Sequence, residues 1–168
     1  AFEKATKFGL ELPVPEATHI SEACEKLLKP PYDELRGATL AKEEFRELVN
    51  EAITAYNAGR LEEAIRGFEE AVRVRPQYPD IRCRLAIAYG EAERYEDAVS
   101  QLNEALDLNP SYIDALFYHG VYSLKLGKYR EACDSLKRGV DLKPDYWDLR
   151  CYLGISYFKR GMFEESLE

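Results

Sequence analysis

A period of thirty-four residues governs this chain. Pro76, Pro110 and Pro144 stand thirty-four apart, and each opens the same phrase: PQYPD, PSYID and PDYWD. Other columns keep the spacing. Ala64, Ala98 and Ala132 repeat it, as do Phe68, Leu102 and Leu136, and Ala71, Ala105 and Gly139. Gly59, Gly127 and Gly161 mark a further position, which Glu93 occupies in the intervening copy. Units of this length cannot bury their apolar faces alone, so they stack on one another and share a continuous core.

Within a unit the apolar spacing is helical. Leu61, Ala64, Ile65, Phe68, Ala71 and Val72 follow i, i+3, i+4, i+7 and form one stripe of a 3.6-residue helix. Residues 45–58 read as the preceding helix, closed at Gly59, where glycine takes the left-handed conformation at no steric cost. Each proline then ends the second helix, because it has no N–H to continue the ladder. The predicted unit is helix–turn–helix, with repeats at 45–78, 79–112 and 113–146 and an incomplete fourth at 147–168. Ala52, Ala86, Gly120 and Gly154 share a column on the first helices, and Ala64, Ala98, Ala132 and Ser166 share one on the second. Small side chains in both columns let the two backbones approach. Leu85, Leu153, Tyr89 and Tyr157 are predicted to fill the space around that approach.

These columns resemble the tetratricopeptide repeat, whose pattern is Trp-x2-Leu-Gly-x2-Tyr, then Ala-x3-Phe and a closing Pro. Leu153, Gly154 and Tyr157 carry the first half, with Arg150 at the tryptophan position; Ala64, Phe68 and Pro76 carry the second half. The chain departs from the pattern at Glu51 and His119 in the leucine column and at Arg82 and Arg150 in the tryptophan column. The resemblance covers residues 45–168. It implies an all-α fold, a right-handed superhelical solenoid of antiparallel helix pairs whose first helices line the concave face.

Residues 1–44 keep no register with the repeats and read as an irregular helical extension or cap, or as the tail of a preceding domain. ISEACEKLLK reads as a short helix ended by Pro30-Pro31, and residues 32–44 form either another helix or a backward extension of the first repeat helix. The last helix is expected to leave Leu153 and Tyr157 partly covered. From this follows the expectation that the array continues beyond Glu168 or packs on another chain, with self-association through the incomplete repeat as one form of that packing.

Charge and composition exclude several function classes. The formal net charge of -8 argues against a nucleic-acid surface, which carries a basic stripe. No apolar run approaches the roughly 18 residues of a membrane-spanning helix. Four cysteines at wide spacing, with no CxxC and only His19 and His119 as histidines, predict neither a metal site nor a disulfide framework. They read as reduced thiols in a cytoplasmic protein. No Ser/His/Asp or Cys/His grouping and no glycine-rich phosphate loop is present, so no cofactor and no catalysis are expected. His119 reads as a satisfied core histidine, and Glu62-Glu63 and Glu69-Glu70 as solvated helix face.

The chemistry left over lies on the first helices. A second apolar stripe runs Val49, Ile53, Tyr56, then Cys83, Ile87, Gly90, then Phe117, Val121, Leu124, then Cys151, Ile155, Phe158, each at i, i+4, i+7. Tyr118 and Tyr152 flank it, and Asp80, Asp114 and Asp148 stand at its entrance. The aspartates equally suit the positive ends of helix dipoles, and the aromatics equally suit packing between repeats. Some members of the resembled family grip a C-terminal carboxylate with lysine, arginine and asparagine. The matching surface here offers Val49, Ile53, Arg84, Asp114 and Tyr118, so that clamp is not expected. The expected function is a non-catalytic scaffold that binds a peptide or helix of a protein partner by apolar side chains, with a partner Lys or Arg meeting the aspartates. Tyr56, Phe117, Tyr118, Tyr152 and Phe158 are the expected hot spots. The alternative is a regulatory or assembly arm of a larger enzyme or signalling protein.

Overall fold

Proline and glycine placement sets where each helix stops. The computed structural model describes the backbone of residues 31–161 and the side chains of residues 41–161. The described residues form seven helices: α1 Pro31–Asn57, α2 Leu61–Val74, α3 Pro79–Glu91, α4 Tyr95–Leu108, α5 Ile113–Lys125, α6 Tyr129–Leu142 and α7 Trp147–Arg160. Arg75, Asn109 and Lys143 each precede a repeat proline and are extended, with φ of -138°, -142° and -142°. The ring of the following proline disfavours helical geometry there, so α2, α4 and α6 stop one residue earlier. The turns inside the hairpins close with Gly59, Gly127 and Gly161 at φ of +74°, +73° and +85°. Glu93 makes the same turn at φ +59°, the only non-glycine residue at positive φ among those described.

The chain divides into two units, Ala1–Glu43 and Glu44–Glu168. The second unit is an all-α solenoid of helix hairpins. Consecutive helices from α2 to α7 pack on one another, and the first helices of neighbouring repeats also touch, α3 on α5 and α5 on α7. Residues 32–44 continue the first repeat helix backwards, since α1 is unbroken from Pro31; a proline at a helix start costs no hydrogen bond. The helix expected over ISEACEKLLK, together with His19, Ser21 and Cys24, lies outside the described residues, as does Ser166. No helix among the described residues is long and apolar enough to cross a membrane.

The small-residue columns sit where the helices meet. Ala52, Ala86, Ala64, Ala98 and Ala132 are buried, with Leu85 and Tyr89 beside them. At Gly120 the approach leaves no room for a side chain, for an added Cβ would lie 2.4 Å from Cγ of the buried Leu136. Leu153 and Tyr157, the matching pair on α7, are only half-buried.

Two departures from the apolar pattern are absorbed by polar partners. Arg82 is 9% exposed; its Nε donates to the Pro76 carbonyl at 3.1 Å, and Nη1 donates to Gln101 Oε1 at 3.1 Å and pairs with Glu104 at 2.5 Å. His119 is buried between α5 and α6, with Nδ1 2.9 Å from the Ser135 hydroxyl and 3.5 Å from that of Ser123. Burial holds its imidazole below the ordinary value. Glu51 and Arg150 are exposed. Glu63 and Glu70 pair with Arg60 and Arg73 on exposed faces, whereas Glu69 reaches across to accept from the Tyr89 hydroxyl at 2.5 Å.

Candidate functional site

The 3.6-residue period places Ile53, Tyr56 and Asn57 on one face of α1, and Asp80, Arg84 and Ile87 on one face of α3. It places Asp114, Phe117 and Tyr118 on one face of α5. Two adjoining clefts open on these faces. The first, about 240 Å³, is lined from α3 by Asp80, Cys83, Arg84 and Ile87 and from α5 by Asp114, Phe117 and Tyr118. Tyr112 and Tyr146, the residues that cap α5 and α7, complete its wall. The second, also about 240 Å³, lies between α1 and α3 and is lined by Ile53, Tyr56, Asn57 and Phe68, with Arg84, Ile87 and Tyr118 shared between the two.

From the lining residues Phe117, Tyr118 and Tyr146, aromatic rings continue in a connected run. Phe117 meets Tyr118 edge-on at 5.2 Å between centroids and Tyr152 edge-on at 5.3 Å, and lies 6.2 Å from Tyr146. Tyr118 stacks on Tyr122 at 5.9 Å, and Tyr122 continues to Tyr95 at 5.9 Å. Such offset and edge-to-face pairs stabilise by about 0.5–1.5 kcal/mol beyond their buried area. Lys143 stands over Tyr146, its Nζ 5.1 Å from the ring centroid.

Electrostatically the first cleft is acidic. Asp80 and Asp114 lie in the first turns of α3 and α5, both exposed, and neither belongs to an ion pair among the described residues. They therefore sit at the positive ends of these helices and at the cleft mouth together. Burial, and then the Asp114 carboxylate, push the Cys83 thiol up to about 12, so this buried group is neither a nucleophile nor a ready metal ligand. Burial raises the Tyr112 and Tyr118 hydroxyls as well. The Tyr56 hydroxyl donates to Glu91 across the mouth of the second cleft, and burial followed by that hydrogen bond raises it.

The structure thus brings together eight of the expected residues around the two clefts: Ile53, Tyr56, Asp80, Arg84, Ile87, Asp114, Phe117 and Tyr118. Val49 and Val121 are half-buried and pack against the core. Tyr152 supports Phe117 from α7. Asp148, Ile155 and Phe158 line neither cleft; Ile155 and Phe158 are 41% and 54% exposed farther along α7. Part of the apolar stripe is core between repeats. Cys83 and Gly90 are buried, and the Tyr122 ring packs so close to Gly90 that an added Cβ would lie 2.2 Å from Cζ. Tyr112, Tyr146, Asn57 and Phe68 also line the clefts, although the first-helix stripe and its flanks do not contain them. The two tyrosines hold the third place of the repeated proline phrase, which was the signal available for them. Among the described residues, no three His, Cys, Asp or Glu side chains are grouped to hold a metal. The His119–Ser135 pair is buried inside a hairpin, where it ties α5 to α6.

The profile of the tetratricopeptide repeat family matches residues 49–113 and again 83–146. Among solved structures, the chain is similar to the first TPR of Spaghetti (RPAP3) bound to the HSP90 peptide SRMEEVD. That likeness is 24% identity, 71% of this chain and 94% of that one, with a TM-score of 0.68. It is similar to MamA at 20% identity, 81% of this chain and 78% of that one, with a TM-score of 0.71. The Sgt2 TPR domain from Aspergillus fumigatus matches at 20% identity, 74% and 84% coverage and a TM-score of 0.66. No curated protein matches the chain.

Proposed function

The chain belongs to the tetratricopeptide repeat family, and from that premise we propose that it binds an extended segment of a partner protein along the two clefts on α1, α3 and α5. At the level of the family its role is that of a protein–protein interaction scaffold. The observation that carries the finer reading is the continuity of the clefts. Both are open, both are walled by aromatic and aliphatic side chains, and they share Arg84, Ile87 and Tyr118, so one strand of peptide can cross from one to the other. Ring contacts already made without a ligand lower the entropy lost on binding, and tyrosines give large contact area with few torsions to freeze. The peptide-bound state of the Spaghetti repeat domain, which shares the fold, supports a peptide as the class of ligand. The binding is non-catalytic in this reading.

The test is a selection of random peptides displayed against the chain, followed by affinity measurement on the variants Ile53→Ala and Tyr118→Ala. Thermal melts are run alongside to verify folding. Truncation of an anchoring aromatic at an interface centre weakens binding by roughly tenfold or more. Selected peptides that bind both folded variants as tightly as the parent chain would rule the clefts out as the binding surface.

A further inference from the structure

We propose that the cleft between α3 and α5 receives a cationic side chain, a lysine or arginine of the partner segment, which lies against tyrosine and phenylalanine rings with its charge facing Asp80 and Asp114. The inference rests on the groove reading above and specifies what the groove takes.

Three features of the cleft point to a cation. Four of its nine lining residues are aromatic, Tyr112, Phe117, Tyr118 and Tyr146, and the faces of such rings carry negative charge density that attracts ammonium and guanidinium groups. One of the four already shows this, since the Lys143 ammonium of the chain itself rests over Tyr146. Next, Asp80 and Asp114 supply two carboxylates at the mouth without an ion-pair partner among the described residues. Last, the cleft's carboxylates outnumber its one lining guanidinium, two against one. At the lining Cys83 thiol, Asp114 acts more strongly than the opposing Arg84. The volume of about 240 Å³ takes one long side chain and excludes a folded element. A formal net charge of -8 also favours approach of a basic segment over an acidic one.

A carboxylate is the competing occupant, because Arg84 lines both clefts with no ion pair among the described residues. The two occupants give opposite signs. With a cation bound, neutralising the aspartates weakens binding and neutralising Arg84 strengthens it; with a carboxylate bound, both signs reverse.

The experiment uses the peptides recovered by display. Each enriched sequence is synthesised with blocked termini and with its enriched basic position as lysine, norleucine or glutamate. Affinities are measured by fluorescence anisotropy on the parent chain, on Asp80→Asn/Asp114→Asn and on Arg84→Gln. All three substitutions lie at exposed positions. A single fixed lysine or arginine in the recovered sequences is expected. Its norleucine version should bind roughly tenfold more weakly. The asparagine variant should lose that preference, and Arg84→Gln should bind the lysine peptide more tightly. Equal binding of the lysine and norleucine peptides overturns the inference, as does tighter binding of the lysine peptide by the asparagine variant. If those peptides still depend on Ile53 and Tyr118, the groove reading survives without the cation. If they depend on neither, both readings fall.

Discussion

Glu93 makes the one hairpin turn that lacks the glycine its three counterparts have, and its replacement tests how the array is stabilised. Its φ of +59° lies in the left-handed region, where an L-residue's Cβ crowds the following carbonyl at about 1–2 kcal/mol. Glycine removes that crowding but gains freedom in the unfolded chain, which costs about 0.4–1 kcal/mol. The Glu93 side chain is exposed, and nothing lies within 4 Å of a Cβ built at Gly59, Gly127 or Gly161. No packing is therefore lost. The difference leaves Glu93→Gly more stable by about 0.8 kcal/mol at the middle of both ranges, and by about 1.6 kcal/mol at most, read as a higher urea midpoint at unchanged slope. Glu93→Ala keeps the Cβ and removes the carboxylate, so it separates backbone strain from charge. Its midpoint should stay near the parent value or fall slightly. If alanine stabilises as much as glycine, the carboxylate and not the backbone is the source of the gain, and the strain argument is refuted.

Arg82→Met keeps the apolar stem in place but strips the partners of the Pro76 carbonyl, Gln101 and Glu104, and should cost about 1–3 kcal/mol by urea melts. Glu104→Gln should cost less than about 1 kcal/mol, because the carboxylate is half exposed and the pair is solvent-screened on that side. His119 gives a pH dependence with a definite sign. Its folded value lies below the ordinary 6.5, so the unfolded state binds more protons in the window between the two. Stability is then full above about pH 6.5 and declines as pH falls towards the folded value, with a limiting slope of about 1.4 kcal/mol per pH unit. Melts at several pH values should show the decline in the parent chain. They should not show it in His119→Leu, which takes the residue of the equivalent Leu85; a persistent slope in that variant would assign the effect to another group.

Local punctuation was the most legible part of this fold. Proline and glycine act through the backbone of their own residue and its neighbour, so the helix ends at Val74, Leu108 and Leu142 and the turns at Gly59, Gly127 and Gly161 follow from sequence spacing. The columns of Ala86, Leu85 and Tyr89 were equally legible, because contacts inside a hairpin recur in phase with the period. Relations between one hairpin and the next were less so. The stripe of Cys83, Ile87 and Gly90 reads as one surface in sequence, yet Tyr122 of the next repeat covers Gly90 while Ile87 stays at the clefts. Which members of a stripe are covered depends on how neighbouring first helices cross, and a period carries no information on that angle. The same holds for Tyr112 and Tyr146, which sit in loops by sequence and reach the cleft only because adjacent repeats stack. The polar network of Arg82 was illegible for another reason. An arginine in an apolar column looks like a defect until the residues opposite it are known.

Those residues reveal a compensation between copies. The carbonyl of Pro76 accepts from Arg82, on the first helix of its hairpin, and the equivalent carbonyl of Pro110 accepts from Arg138, on the second helix, at 2.9 Å. Thirty-four residues beyond Arg82 stands Leu116, and thirty-four beyond Glu104 stands Arg138. The same acceptor is thus met from opposite sides, Arg82 with Glu104 in one hairpin and Arg138 with Leu116 in the other. Exchanging the second helices would be nearly neutral for the alanine and leucine columns, which are close to interchangeable. It would not be neutral here. Packing α6 on α3 sets Arg82 against Arg138, and packing α4 on α5 leaves the Pro110 carbonyl facing Glu104 and Leu116 with no donor. Loss of the Gln101 and Glu104 partners at the buried Arg82 costs about 1–3 kcal/mol, whereas the exposed Pro110 carbonyl turns to water at little cost. It is therefore mainly at Arg82 that a departure from the repeat pattern discriminates between partners that the repeating columns cannot tell apart. The register of a nearly self-identical array is held by the places where it fails to repeat.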